Sequence, residues 1–230
     1  MKSYTKLLFT LCLSTMTLVA CGGGGGGGGG GSSDEQRARP STGFRILHAN
    51  IDLAPVDIFL GAETASRGRA RFARASSWID ARGPQSIVLK RANTTEQVDS
   101  VAINLAPDEV QSVLLYGDFN NFGLRTASID DTLPALGTGN AAVRIIHGAV
   151  GAAQIVANAG AETLSTGTAF GTASKYTVIP AGTSALRVKR AADSSVLYDR
   201  VFTFEAGKAY SVLVAGDANY LATGQVLEDS

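Results

Sequence analysis

Cysteine is almost absent from this chain. Of its 230 residues only Cys12 and Cys21 carry a thiol, and both lie close to the N-terminus. A body without thiols forms no disulfide and no cysteine-ligated metal site, whatever its redox compartment. Histidine is equally scarce, with His48 and His147 alone. The His-x-x-His and His-Glu-x-x-His metal patterns are therefore missing, and so are Gly-x-Ser-x-Gly and the Asp-x-Asn-x-Asp-Gly calcium loop. An excess of one charge is missing too: 20 basic residues face 20 acidic ones, which gives no electrostatic reason to expect nucleic acid as a partner. Charged residues make up only 17% of the chain, too few for a coiled coil. Long apolar stripes of helical period are lacking as well.

The N-terminus is the first informative stretch. Lys2 and Lys6 precede an almost wholly apolar run from Leu7 to Leu13, and Leu18-Val19-Ala20-Cys21 follows. This is the pattern of a secretory signal, too short to span a bilayer comfortably. Its ending resembles a bacterial lipobox. The resemblance implies cleavage after Ala20, acylation of Cys21 and anchoring in membrane lipid by several acyl chains. Gly22 in place of an aspartate resembles outer-membrane sorting in Gram-negative cells, so the expected location is the outer membrane, within the cell envelope. Loss of Lys2 and Lys6 with the signal leaves 18 of the 20 basic residues against 20 acidic ones. Gly22–Gly31 is an unbroken run of ten glycines. With no side chains to bury, it reads as a flexible tether with an end-to-end extent of about 5–6 Å × √n. It is not a phosphate loop: no strand precedes it and no Lys-Ser or Lys-Thr closes it.

The remainder is a repeat. Arg45, Ile46 and His48 return 99 residues later as Arg144, Ile145 and His147. The same offset relates Gly83 to Gly182, Lys90-Arg91-Ala92 to Lys189-Arg190-Ala191, and Ser112-Val113-Leu114 to Ser211-Val212-Leu213. It also relates Gly117-Asp118 to Gly216-Asp217, whereas Phe72 and Phe170 stand one residue closer. A constant offset over separated elements indicates duplication. Within each copy the hydrophobic period is two. The first copy predicts strands at 44–49, 56–60, 86–90, 98–105, 110–116 and 124–129, with an interrupted extended stretch over 67–79 in which Arg69 and Arg71 face solvent. The second predicts strands near 143–147, 176–179, 185–189, 198–204, 209–215 and 221–227, the last at an edge. Short strands separated by turns leave no room for crossover helices. The expected fold is all-β: two tandem immunoglobulin-like antiparallel β-sandwich domains following the signal peptide and tether. The boundaries read as 1–20 signal peptide, 21–42 lipidated cysteine and linker, 43–130 first sandwich, 131–141 linker, and 142–230 second sandwich.

Several segments carry a resemblance to a known family. They are the apolar strand ending in His-Ala or His-Gly, Phe170-Gly171-Thr172-Ala173-Ser174-Lys175-Tyr176, Pro180-Ala181-Gly182, and Glu205-Ala206-Gly207-Lys208-Ala209-Tyr210-Ser211-Val212-Leu213-Val214-Ala215-Gly216. These resemble domain-of-unknown-function family 4397, over roughly residues 44–227. The resemblance implies an immunoglobulin-like sandwich on a secreted or surface-attached bacterial protein, with no catalytic residues to carry over. The first copy is looser: Trp78 to Gly83 stands in for Tyr176 to Gly182, and Arg67, Arg69, Arg71 and Arg74 are untypical.

Candidate chemistry is thin. His48 and His147 suit a metal or a general base by residue type, but one per copy at equivalent positions is the pattern of a strand-end group that the fold needs twice. Asp118 and Asp217 read as turn aspartates accepting hydrogen bonds from backbone amides. The loops with Phe119, Asn120, Asn121 and Phe122, and with Asn219 and Tyr220, place aromatic and amide groups just beyond a strand, which is chemistry suited to a glycan or a protein edge. The expectation is therefore a lipid-anchored envelope protein with a structural, adhesive or ligand-binding role. It uses no cofactor, catalytic residue or metal site, and its partner is an envelope protein or polysaccharide. The alternative is an envelope hydrolase or metal-dependent carbohydrate-active protein with its site between the two domains.

Overall fold

A computed structural model describes residues 38–120 and 123–230. The expected signal peptide, Cys21, the glycine run, Asn121 and Phe122 lie outside the described residues. The first copy folds as β1 (Gly43–His48), β2 (Val56–Leu60), β3 (Gly68–Ala70), β4 (Arg74–Ala75), β5 (Ile79–Asp80), β6 (Gly83–Arg91), β7 (Gln97–Leu105), β8 (Val110–Asp118) and β9 (Gly123–Asp130). The second follows as β10 (Asn140–His147), β11 (Gln154–Ala159), β12 (Glu162–Ala169), β13 (Thr177–Pro180), β14 (Gly182–Arg190), β15 (Val196–Phe204), β16 (Ala209–Asp217) and β17 (Leu221–Glu228). The described residues contain no helix.

Four sheets result. In the first sandwich, β4-β1-β8-β9, with β5 also on β1, faces β3-β2-β6-β7; in the second, β13-β10-β16-β17 faces β12-β11-β14-β15. Pairing is antiparallel except between β1 and β8 and between β10 and β16, which run parallel. Each sandwich has its own core. Phe44, Ile46, Ile58, Ile87, Leu89, Val113 and Leu115 meet in the first, and Val143, Ile145, Ile155, Leu186, Val188, Val212 and Val214 in the second.

A third apolar cluster changes the architecture from two beads into one body. Leu47, Leu114 and Ile129 of the first copy pack with Ile146, Leu213 and Leu227 of the second. These side chains alternate with the core residues along the same strands, so they point out of the opposite sheet face. The sheet containing β1 and β8 therefore lies against the sheet containing β10 and β16. All four strands are buried on both faces, which explains why they read as near-continuous apolar runs.

The contact between the inner sheets is close. The Gly216 amide donates to the Ala49 carbonyl at 3.2 Å. Tyr116 meets Phe170 edge-on with ring centroids 5.0 Å apart. Gly148 and Ala49 occupy equivalent positions in the two copies and touch one another, so a Cβ built on Gly148 collides with that of Ala49.

Two local features add to the expected pattern. The extended stretch over 67–79 is interrupted, as its arginines suggest. It breaks into β3, β4 and β5, with Ala73 in the left-handed region at φ 56°. That turn sends β3 to the outer sheet and β4 to the inner one, where His48 pairs with Arg74. The strands β11 and β12 carry little hydrophobic alternation to mark them in sequence, being short in large apolar residues.

The contact at Gly148 yields a prediction. Gly148→Ala forces the inner sheets apart, and overpacking of this kind costs about 1–3 kcal/mol. The urea midpoint of the full chain should fall accordingly; an unchanged midpoint would mean that the sheets are not pressed together there.

Candidate functional site

The two histidines come first because they are the only groups of their kind. Both are fully buried at the end of their strands. Nε2 of His147 lies 3.0 Å from the Ala152 carbonyl, and Nε2 of His48 lies 3.4 Å from that of Ala54. An aromatic ring from the following segment closes each site: Phe170 on His147 at 5.6 Å and Phe72 on His48 at 6.5 Å. Burial lowers both pKa values, His147 to about 4, while the backbone hydrogen bonds oppose the shift. The neutral ring donates its one N–H to the carbonyl, and Nδ1 in both residues is left without a partner. Each histidine serves its own strand-end loop. Among the described residues no three His, Cys, Asp or Glu side chains gather as a metal site requires.

The charged groups that do come together belong to no single motif of the sequence. Arg45 and Arg144 sit among apolar neighbours on the contact faces of β1 and β10, only 1% and 2% exposed. Nε of Arg45 donates to the Ser112 hydroxyl at 2.9 Å, and Ser112 donates to Asp131 at 2.7 Å. Asp131 pairs with Arg144. Nε of Arg144 donates to Ser211 at 2.7 Å, Ser211 donates to Asp229 at 2.7 Å, and Asp229 pairs with Arg45. The six residues close a ring: each copy supplies an arginine, a serine and an aspartate, and each arginine ion-pairs with the other copy's aspartate.

Aromatic faces cover the ring. The Arg45 guanidinium lies 4.4 Å from the Trp78 ring centre, and that of Arg144 lies 4.6 Å from Tyr176, whose hydroxyl donates to Asp229 at 2.8 Å. Burial alone would lower Arg144, but the charges of Asp131, Tyr176 and Asp229 more than offset it and the net shift is upward. Burial, followed by the Asp229 charge, raises Tyr176. The family-like segment thus has a physical role. Phe170 closes over His147, Ser174 accepts from the Ile145 amide at 3.0 Å, and Tyr176 covers Arg144. In the first copy Phe72, Ser76 and Trp78 fill the same places, with Ser76 accepting from the Ile46 amide at 2.9 Å. Asp131, expected at the start of a linker, is a fully buried member of this ring.

The predicted ligand loops lie at the ends of β8 and β16. Asp118 accepts from the Asn120 amide at 3.1 Å, and Asp217 from the Asn219 amide at 2.8 Å. Asp52 also holds the amides of Phe119 and Asn120, both at 2.9 Å. Phe119 is half-buried against the first core with Arg91 above its ring, while Asn120 is exposed. Arg190 donates to the Asn219 side-chain oxygen at 3.1 Å and to the Ala218 carbonyl. Beyond this held turn, Tyr220 is 90% exposed and Leu221 is 61% exposed.

Two predictions follow from the buried groups. Arg144→Met strands Asp131 in the interior, and breaking a buried pair costs about 3–5 kcal/mol. Adding Asp131→Leu removes the stranded charge and should restore most of the loss in urea unfolding; a double variant as unstable as the single one would contradict this account. For His147 the folded pKa lies below the unfolded value. Its contribution is therefore intact above pH 6.5 and is lost as pH falls towards about 4. In His147→Gln the fall in stability between pH 7 and pH 5 should be shallower than in the parent, and parallel curves would count against the buried neutral histidine.

Comparison with known proteins gives a family. No curated protein is significantly similar to the chain in sequence. Among solved structures, the family CBM26 domain CBMbc of Eubacterium rectale Amy13K, in complex with maltoheptaose, is similar at 13% identity. That alignment covers 80% of this chain and 96% of the other, with a TM-score of 0.28. A candidate cell adhesion protein from Bacteroides uniformis aligns at 10% identity over 82% of this chain and 98% of its own, with a TM-score of 0.26. One from Bacteroides ovatus aligns at 10% over 84% and 97%, with a TM-score of 0.23. Scores this low carry no argument about ligand or role. The family described as Domain of unknown function (DUF4397) matches residues 42–158 and again 150–230, so both copies are covered and the chain belongs to the DUF4397 family.

Proposed function

We propose that this chain is a non-catalytic binding or adhesive protein of the cell envelope, held in the outer membrane by acylated Cys21 and engaging an envelope polysaccharide or protein through its strand-end loops. The observation carrying this reading is the division of labour among polar groups. The buried ones are committed to structure: both histidines face backbone carbonyls, and the arginine–serine–aspartate ring is closed on itself. A hydrolase with its site between the domains needs an acid or base open to substrate, and the histidines and ring aspartates near this contact are buried and engaged. The exposed chemistry lies in the loops, where the Tyr220 ring is presented by a turn that Asp217 and Arg190 hold in place. A preorganised aromatic ring loses little entropy on stacking against a sugar face or a partner side chain. Asn120 and Asn219 add amide donors and acceptors.

The test uses the full chain expressed in a Gram-negative host. Cys21→Ser should abolish incorporation of labelled palmitate and release the protein from the membrane fraction, whereas continued acylation would remove the anchor from the proposal. Tyr220→Ala should weaken retention on isolated cell-wall polysaccharide or on intact envelopes by about tenfold, the effect expected for losing one aromatic anchor worth about 1.4 kcal/mol or more. Unchanged retention would exclude the second loop as the binding surface.

A further inference from the structure

The duplication supplies an internal comparison that isolates one feature. Two grooves of about 650 and 640 Å³ run along equivalent lines where the two copies meet. Residues 172–176 of the second copy and residues 127–130 of β9 border one. Their counterparts in the other groove are residues 74–77 and residues 225–228 of β17. Strand register fixes the equivalence. Val56 pairs with Ala70 as Ile155 pairs with Thr168, and Leu47 pairs with Ala75 as Ile146 bridges Ala173. Arg69, Arg71 and Arg74 therefore stand where the second copy has Gly167, Ala169 and Thr172. The second copy builds the same turn, inner-sheet pairing and histidine closure without those three arginines, so the fold does not require them.

All three arginines line the first groove. Arg69 is held by the Asp57 carboxylate at 2.6 Å and by Asn93 at 2.8 Å, which fixes its direction. Arg74 is exposed on β4. The remaining wall combines the half-buried Phe202 and Val226 with the Gln225 amide. Among the described residues the one acidic group on the rim, Glu228, is engaged by Lys208 at 2.5 Å. Guanidinium groups recognise carboxylate or phosphate oxygens in a planar two-point fashion. Apolar and aromatic surface beside an amide group suits the mixed face of a sugar ring. A flat anionic membrane needs no concave groove and no such polar wall. We propose that this groove binds an acidic oligosaccharide, with Arg74 meeting its carboxylates and Phe202 and Val226 lying under its ring faces. The site is separate from the strand-end loops and does not depend on them.

Titration of the full chain in detergent with oligogalacturonate, with maltoheptaose as the neutral control, tests this directly. Binding of the acidic oligomer, weakened by salt and reduced about tenfold or more by Arg74→Glu, is the expected result. Lys175→Glu in the arginine-poor groove should leave that affinity unchanged. Equal affinity for maltoheptaose, or an Arg74→Glu variant that binds like the parent, would overturn the proposal. So would failure of oligogalacturonate to bind while phosphatidylglycerol vesicles bind in an Arg74-dependent way. Competition by millimolar inorganic phosphate alone, matching that of the oligomer, would reduce the groove to a simple anion site and overturn the saccharide assignment. Circular dichroism of Arg74→Glu should match the parent, because the second copy folds with threonine at that position.

Discussion

The closed ring of two arginines, two serines and two aspartates is the constraint on which the arrangement of this protein depends. A guanidinium taken out of water costs several kcal/mol unless it is fully paired and hydrogen-bonded. Neither sandwich can meet that condition by itself. Arg45 needs Asp229 from the end of the chain, and Arg144 needs Asp131 from the end of the first copy. Apolar contact between Leu47, Leu114, Ile146 and Leu213 supplies area, but area has no direction. The ring supplies direction, since its hydrogen bonds close at only one register of the inner sheets. Arg39 reinforces it by donating to the backbone carbonyls of Asp131 and Asp229.

The rest of the molecule is arranged around that contact. Trp78 and Tyr176 cover the guanidinium groups, and the segments holding them are pinned to β1 and β10 by Ser76 and Ser174. The buried histidines close the far ends of the same two strands. Outside this region the structure relaxes into ordinary sandwiches whose outer sheets alternate between core and solvent, as the burial of β7 and β15 illustrates. Variation in side-chain chemistry is found at the edges: the loops after β8 and β16, and the two grooves beside β9 and β17.

Much of this was legible in the sequence, for identifiable reasons. The 99-residue offset follows from the duplication itself, and strands buried on both faces leave apolar runs that need no partner to be recognised. The strand-end role of His48 and His147 was legible because the residue recurs in both copies. The strands β11 and β12 were not, because Gln154–Ala159 and Glu162–Ala169 are built largely from small and polar residues that give little periodic signal. The ring was hidden for another reason. Its signal, an arginine between Phe44 and Ile46 and again between Val143 and Ile145, was visible in both copies. Its partners were not, because Asp229 lies 184 residues from Arg45 and because Asp131 sits in a Pro- and Gly-containing segment that reads as a linker. The two copies' aspartates are also 98 residues apart, one out of step with the arginines.

The contact between Ala49 and Gly148 has a consequence for how the two halves relate as surfaces. When equivalent residues touch each other, the face that contains them is complementary to itself, the defining property of an isologous interface. A single sandwich of this kind would close only by pairing with a second copy, and the two would be bound by identical chemistry. Joining both on one chain replaces encounter by a high local concentration. It also removes the requirement that the partners be the same. Tryptophan can then cover one guanidinium and tyrosine the other, and one groove can gather arginines while its counterpart keeps glycine, alanine and threonine.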